Sequence, residues 1–149
     1  MLRSTFRLAA LVALVAGARP MMAQTASPTE VVQRFFAAAA DTNLKVMGTL
    51  WGTAKGPAAT TRVPADWERR LMVMGTFLTG TKVRTLGELD TKDSGRRSVT
   101  TEVARGDCKV TISVTTVKSP VGWLVVDFDL AEVGNVNRGV CDGGNPTRR

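Results

Sequence analysis

The feature that most constrains the fold is a change of hydrophobic period after Gly80. Beyond this glycine, apolar residues alternate with polar ones, which is the period of β-strands with one buried face. Four such segments can be drawn, with predicted limits at Lys82 to Asp90, Arg96 to Arg105, Cys108 to Lys118 and Trp123 to Glu132. The pattern therefore predicts four strands that turn their apolar residues to a common side.

The turns between these segments test that prediction, because antiparallel neighbours must agree in register. Gly106-Asp107 is typical of a two-residue type II′ hairpin, whereas Ser119 to Gly122 and Lys92 to Gly95 are typical of turns that end in a glycine bulge. These turns place the following residues opposite each other: Val103 and Val110, Ser119 and Trp123, Val114 and Phe128, and Leu89 and Val99. With these turns the apolar sets of neighbouring segments coincide, so we predict a four-stranded antiparallel meander.

The residues before Gly80 have the period of helices. Ser27 to Glu30 forms a helix start, with a serine N-cap, proline at the first helical position and a glutamate that completes a capping box. Helices are predicted from Pro28 to Ala40, Leu44 to Leu50 and Pro64 to Leu78, with a loop from Gly52 to Val63. A sheet with one apolar face must cover it, so we expect an α+β fold with the helices on one face of a curved meander.

This order of elements resembles the nuclear transport factor 2-like superfamily, whose members are also called cystatin-like or SnoaL-like. The segment SPTEVVQRFFAAA at residues 27–39 looks like the family's opening helix, and GWLVVDF at residues 122–128 looks like its closing strand. The resemblance implies a cone between helices and sheet. Members include isomerases, dehydratases, cyclases, non-catalytic ligand binders and exported proteins of unknown role. In the catalytic members, acid, base and hydroxyl groups line the cone, and this sequence offers no such group to carry over.

Residues Met1 to Ala23 have the pattern of a cleavable secretory signal. Two arginines precede an apolar run from Leu8 to Ala18, which is shorter than the roughly 20 residues that a membrane-spanning helix needs. Cleavage after Ala18 or after Ala23 fits the sequence, and we prefer Ala23. We therefore expect a periplasmic or extracellular protein without a membrane anchor, with one domain at residues 24–132 and a Gly/Asn-rich tail at 133–149 that has little intrinsic order.

The sequence contains two cysteines, Cys108 and Cys141. An even number of cysteines in an exported chain most simply forms disulfides. A disulfide between Cys108 and Cys141 would contribute roughly 3 to 4 kcal/mol to the free energy of unfolding. The alternative is two free thiols with a redox or metal-binding role. That alternative lacks a CxxC spacing and a histidine partner.

Composition excludes several classes of function. The chain has no histidine and no tyrosine, which removes serine-histidine triads, cysteine-histidine pairs, histidine-bound zinc and a phenolic donor. The formal net charge of +7 comes from scattered basic residues, three of which would leave with the signal, so we expect no nucleic-acid binding. Carboxylates remain as acid-base groups. The sequence predicts no catalytic residue, no metal ligand and no cofactor.

Asp127 and Asp129 form a weak acidic pair on the last predicted strand. Both point to the side of the strand opposite Phe128. This spacing fits either a cation or acid-base site on the outer face, or an ordinary solvated face. Trp51 and Trp67 are interpreted as core residues rather than ligand platforms.

An apolar patch on the outer sheet face is predicted from Leu86, Val117, Trp123 and Val125. Such patches commonly mark partner surfaces, and this one predicts a homodimer through the outer sheet face unless residues 133–149 cover it. The leading hypothesis is an exported non-catalytic module that binds a small apolar ligand or a protein partner. The alternative is an acid-base enzyme of the isomerase or dehydratase type that uses a carboxylate in the cone.

Overall fold

The computed structural model describes residues 26–141, and the predicted signal lies outside them. The elements in chain order are α1 (Pro28–Ala40), α2 (Leu44–Leu50), β1 (Gly52–Thr53), β2 (Gly56–Pro57), α3 (Ala58–Thr61), α4 (Trp67–Leu78), β3 (Lys82–Asp90), β4 (Arg96–Arg105), β5 (Cys108–Ser119), β6 (Gly122–Phe128) and α5 (Leu130–Asn137). The sheet order β3-β4-β5-β6 is antiparallel throughout. The predicted α+β class and the four-stranded meander are confirmed.

Helix α1 begins with the predicted capping box. The Ser27 hydroxyl accepts a hydrogen bond from the Glu30 amide at 3.2 Å, and the Glu30 carboxylate accepts one from the Ser27 amide at 2.7 Å. The helix buries one face, on which Phe35 and Phe36 are fully enclosed. Its contacts with the sheet and with α2 place it over the inner face, as the apolar stripe predicted.

The central pair of strands, β4 and β5, is regular along its whole length. Val103 lies opposite Val110 and Val99 lies opposite Val114. Gly106 has a φ of +58° in the two-residue turn, where glycine meets no steric penalty. The predicted register of this hairpin is confirmed.

Strand β3 departs from the predicted register at a bulge. Leu86 is the extra residue, and beyond it Leu89 lies opposite Ser98 while Glu88 lies opposite Val99. The prediction that Leu89 faces Val99 is therefore wrong. A bulge shifts every later side chain by one position, which turns Leu89 away from the apolar face.

Strand β6 also contains a bulge, but not at the predicted glycine. Ser119 lies opposite Gly122, and the extra residue is Val126 in the middle of the strand. Beyond this bulge, at the end of the hairpin far from the turn, Val114 lies opposite Phe128, as predicted. Between the turn and the bulge the predicted pairing is wrong by one residue.

Strand β6 ends at Phe128 rather than at Glu132. Asp129 is instead the N-cap of α5, and its carboxylate accepts hydrogen bonds from the amides of Ala131 and Glu132 at 2.9 and 3.1 Å. Helix α5 buries Val133 and Val136 in the core. The expectation of little order after residue 132 is therefore wrong for this helix, because its apolar residues have a core to enter.

A disulfide joins Cys108 to Cys141, with 5.2 Å between their Cα atoms. It ties the residues after α5 to the first residue of β5, as the cysteine count predicted. Within residues 26–141, no helix combines the length and the apolar character needed to cross a membrane.

The predicted loop from Gly52 to Val63 contains short regular elements. Strands β1 and β2 form a two-stranded ribbon and α3 follows as a single helical turn. A Cβ atom on Gly52 would lie 2.3 Å from the Gly56 carbonyl oxygen, so only glycine permits this close approach. The segment crosses the ends of α2 and β6 and helps to shape the site described below.

Candidate functional site

The interior between helices and sheet is occupied by aromatic and aliphatic side chains. The rings of Phe35, Phe36 and Phe128 contact one another. The centroid distance is 5.7 Å between Phe35 and Phe36, 6.2 Å between Phe35 and Phe128, and 5.1 Å between Phe36 and Phe128. Two threonines of the inner sheet face are fully buried, and the hydroxyls of Thr101 and Thr116 each donate to a backbone carbonyl of β4. Among the described residues, no carboxylate is buried in this interior.

Within residues 26–141, two carboxylates have lowered pKa values, and both lie at the surface. Glu102 lies between Lys109 and Arg84 at 3.0 and 3.3 Å, and the hydrogen bond from Lys109 is the main cause that lowers its pKa. The hydrogen bond from Arg70 is likewise the main cause that lowers the pKa of Asp66. A general base that works near neutral pH needs a raised carboxyl pKa, so both shifts have the wrong direction for that role.

Asp127 and Asp129 each accept hydrogen bonds from backbone amides. Asp129 caps α5, as described above, and the Asp127 carboxylate accepts a hydrogen bond from the adjacent Phe128 amide at 2.9 Å. Within residues 26–141, no cluster of three or more histidine, cysteine, aspartate or glutamate side chains is arranged to hold a metal ion.

The four residues of the predicted outer patch do not share an exposed face. Val125 is fully buried in the core, Val117 is buried, and Leu86 is half-exposed on the distant strand β3. Trp123 is partly buried, with the Arg97 guanidinium 5.5 Å from its ring centroid. The bulge at Val126 explains this placement, because it turns Val125 to the face that carries the core.

The bulge is stabilised by Trp51. Its indole N–H donates to the Val126 carbonyl at 2.9 Å, and its backbone bridges to Val125. The side chain of Asp127 accepts from the next amide along the same strand. These contacts satisfy backbone groups on an outer strand and make Trp51 a core residue, as the sequence predicted.

A cleft of about 480 Å³ with a largely apolar lining lies between α2, α3 and α4, and we call it the helix cleft. Its lining residues are Leu44, Lys45, Thr49, Ala59, Trp67, Glu68, Leu71 and Met72. Leu71 is fully buried, whereas the Met72 side chain is 51% exposed. The cleft therefore has an apolar floor that connects directly to the core.

Trp67 forms a wall of the helix cleft because α2 has a glycine where the indole lies. A Cβ atom on Gly48 would lie 2.7 Å from Cζ3 of Trp67 and 3.3 Å from the Ala59 Cβ. The absence of a side chain at Gly48 thus allows the ring to approach the backbone of α2 closely. The interpretation of Trp67 as a core residue is half right, since the ring contacts the core and also lines the cleft.

Two charged residues of opposite sign lie at the mouth of the helix cleft. Lys45 comes from α2 and Glu68 from α4, and both are exposed. In the part of the chain that the structure describes, neither has an ion-pair partner. Both charges are therefore available to a bound molecule.

The opposite side of α4 carries two smaller clefts of about 320 Å³ each, and both include Arg70 and Met74. The Arg70 guanidinium already donates to the Asp66 carboxylate at 2.9 Å. Its charge is thus partly compensated within the chain. These clefts offer less to a ligand than the helix cleft does.

Sequence reasoning missed the helix cleft. Its third wall is α3, which lies in the segment predicted as a loop, and a cleft between helices depends on contacts distant in sequence. The signal available in the sequence was the presence of the small residues Gly48 and Ala59 ahead of Trp67.

No protein-family model and no curated protein matches the sequence. Among solved structures, an NTF2-like protein of unknown function from Cytophaga hutchinsonii is 10% identical, with 72% of this chain and 95% of that chain covered at a TM-score of 0.45. An LEH-like epoxide hydrolase of M. tuberculosis is 14% identical, with 78% and 93% covered at a TM-score of 0.37. These values carry no argument about activity. The cone architecture rests instead on the element order and sheet pairing, which agree with the resemblance.

Proposed function

We propose that the protein is an exported, non-catalytic module that binds a small apolar ligand in the helix cleft. The observation that carries this proposal is an open apolar cleft of about 480 Å³ beside a cone interior that is already occupied by side chains. Ligand sites are typically clefts of about 300 to 1,000 Å³ with mostly hydrophobic and aromatic walls. The helix cleft has this size and this lining.

The absence of a buried carboxylate among the described residues supports binding rather than acid-base catalysis. An isomerase or dehydratase of this kind would need a carboxylate in a dry pocket, where burial raises its pKa toward neutrality. The phenylalanine cluster takes up the space where the resemblance would place such a group. The buried positions of Val117 and Val125 likewise favour a small ligand over a protein partner at the outer face.

Export is supported by two features at opposite ends of the chain. Residues Met1 to Ala23 have the signal pattern, and the disulfide between Cys108 and Cys141 is of a kind that persists in oxidising compartments. We accordingly place the protein in the periplasm or outside the cell, with cleavage after Ala23.

A fluorescent apolar probe tests the proposed site. The purified protein is titrated with 1-N-phenylnaphthylamine, a neutral dye whose emission rises in apolar surroundings. Ala59→Phe places a ring in the helix cleft and should weaken binding by about tenfold, which corresponds to roughly 1.4 kcal/mol. Ala54→Phe makes the same change at an exposed position outside the cleft and should leave binding unchanged.

Thermal unfolding establishes that each variant is folded. If Ala59→Phe is unstable, Thr49→Phe fills the cleft from an exposed position on α2. Failure of the parent protein to bind the dye, or equal binding by the folded cleft-filling and control variants, would contradict the proposal.

A further inference from the structure

We infer that the ligand of the helix cleft is a single-chain amphiphile with a zwitterionic head group of the phosphocholine type. The chain would lie on the apolar floor and the head group between Lys45 and Glu68. This inference rests on the proposed function and names the class of molecule that the same site would take.

The floor of the cleft suits an alkyl chain. Leu44 and Met72 provide aliphatic and thioether surface above the buried Leu71, and Trp67 provides an aromatic wall that lies close to Gly48. Burial of methylene groups supplies affinity without demanding a directional contact. The flexible Met72 side chain is exposed and can adjust to the length of the chain.

The mouth of the cleft favours a head group that carries both charges. Lys45 and Glu68 lie on different helices and neither is paired within the described residues. A purely anionic head group would be repelled by Glu68, and a purely cationic one by Lys45. A zwitterion is attracted by both residues, so charge complementarity selects it.

The side chains at the mouth of the helix cleft indicate where the phosphate and the quaternary ammonium of the head group would lie. Trp67 and Glu68 both line the helix cleft, and a site that offers an aromatic ring and a carboxylate suits a quaternary ammonium. Lys45 supplies an ammonium for a phosphate. Phosphocholine presents these two groups in one small unit at the end of an alkyl chain.

The test compares four probes by their displacement of the dye. Dodecylphosphocholine, used below its micelle concentration, carries both charges. Dodecyltrimethylammonium and dodecyl methyl phosphate, a phosphodiester, carry one charge each on the same chain, and glycerophosphocholine carries the head group alone. We expect the zwitterion to bind about threefold to fivefold more tightly than either singly charged amphiphile, the range of one exposed ion pair. Glycerophosphocholine should not displace the dye.

Charge variants assign the effect to the two residues. Lys45→Glu and Glu68→Lys should each weaken zwitterion binding by about threefold to fivefold, and each should favour the amphiphile whose sign it complements. The double variant Lys45→Glu/Glu68→Lys should restore part of the zwitterion binding in the reversed orientation, because both charges are again complemented while the ammonium no longer lies beside Trp67. Lys55→Glu changes an exposed lysine outside the cleft and should have no effect.

The outcomes separate this inference from the proposed function. If the dye binds the cleft but the three dodecyl probes bind equally, or if the double variant fails to restore zwitterion binding, the head-group assignment is wrong while the apolar site stands. If the protein does not bind the dye, both conclusions fall.

Discussion

Two spaces adjoin the helical layer of this protein, and they differ in how they are used. The space between helices and sheet is occupied by Phe35, Phe36 and Phe128, which contact one another in the core. The space between α2, α3 and α4 is left open beside the small side chain of Ala59, while the room at Gly48 is taken by the Trp67 ring. The filled interior stabilises the fold, whereas the proposed ligand site is the cleft between α2, α3 and α4.

The strongest test of this comparison removes a ring from the interior. Phe36→Ala should lower the free energy of unfolding by about 3 to 5 kcal/mol, because it deletes a fully buried ring and leaves a cavity. Met72→Ala, in the half-exposed wall of the helix cleft, should cost less than about 1.5 kcal/mol. Urea denaturation measures both. Similar losses at the two positions would mean that the spaces do not differ as described.

Removal of the disulfide should lower the stability of the fold but leave the dye affinity of the helix cleft unchanged. The variant Cys108→Ser/Cys141→Ser is expected to lose roughly 3 to 4 kcal/mol of stability, since the bridge closes a loop with a sequence separation of 33. Its dye affinity should be unchanged at temperatures where it is folded, because neither cysteine lines the helix cleft. A loss of dye binding in the folded variant would show that α5 and the cleft are coupled.

Two glycine-to-alanine variants test whether Gly48 sets the position of Trp67 in the wall of the helix cleft. Gly48→Ala places a Cβ atom 2.7 Å from the Trp67 ring, so the indole must move, and we expect a loss of about 1 to 2 kcal/mol together with altered dye affinity. Gly75→Ala is the matched control within α4, where the nearest atom would lie 3.8 Å away. It should gain up to about 1 kcal/mol from helix propensity. Equal effects at both sites would contradict the role assigned to Gly48.

The smallest expected effect lies on the outer sheet face. Lys109 lowers the pKa of Glu102 in the folded state, so this carboxylate contributes stability above its ordinary pKa of 4.5 and loses that contribution as the pH falls through the lowered value. Glu102→Gln should therefore be less stable than the parent at pH 7 but not in strong acid. Urea midpoints across this range measure the difference, and a constant gap at every pH would refute it. Dye binding should not change.

Much of the fold could be predicted because its signals are local. The capping box at Ser27, the helical stripe of α1 and the turn at Gly106-Asp107 each depend on residues within a few positions of one another. The central hairpin was predicted correctly for this reason. Its two strands have alternating patterns that agree with the turn between them, so only one register buries both apolar faces.

The bulges could not be predicted in the same way, because an extra residue can be placed at several points along a strand at similar local cost. At Val126 the position is selected by the indole of Trp51, which lies 75 residues earlier in the chain. This single displacement moved Trp123 and Val125 from a predicted outer patch toward the core. The predicted patch depended on which face each residue of β6 presents, and a bulge reverses that face.

The amino-acid sequence therefore determined the class, the order of elements and the pairing of the meander, through hydrophobic period and turn chemistry that act over short distances. Only the tertiary structure decided which faces the outer strands present, that residues 130–137 form α5, and that α2, α3 and α4 leave a cleft between them. These features depend on contacts between distant segments. Their energies are set by shape and by unsatisfied backbone groups, which no local pattern records.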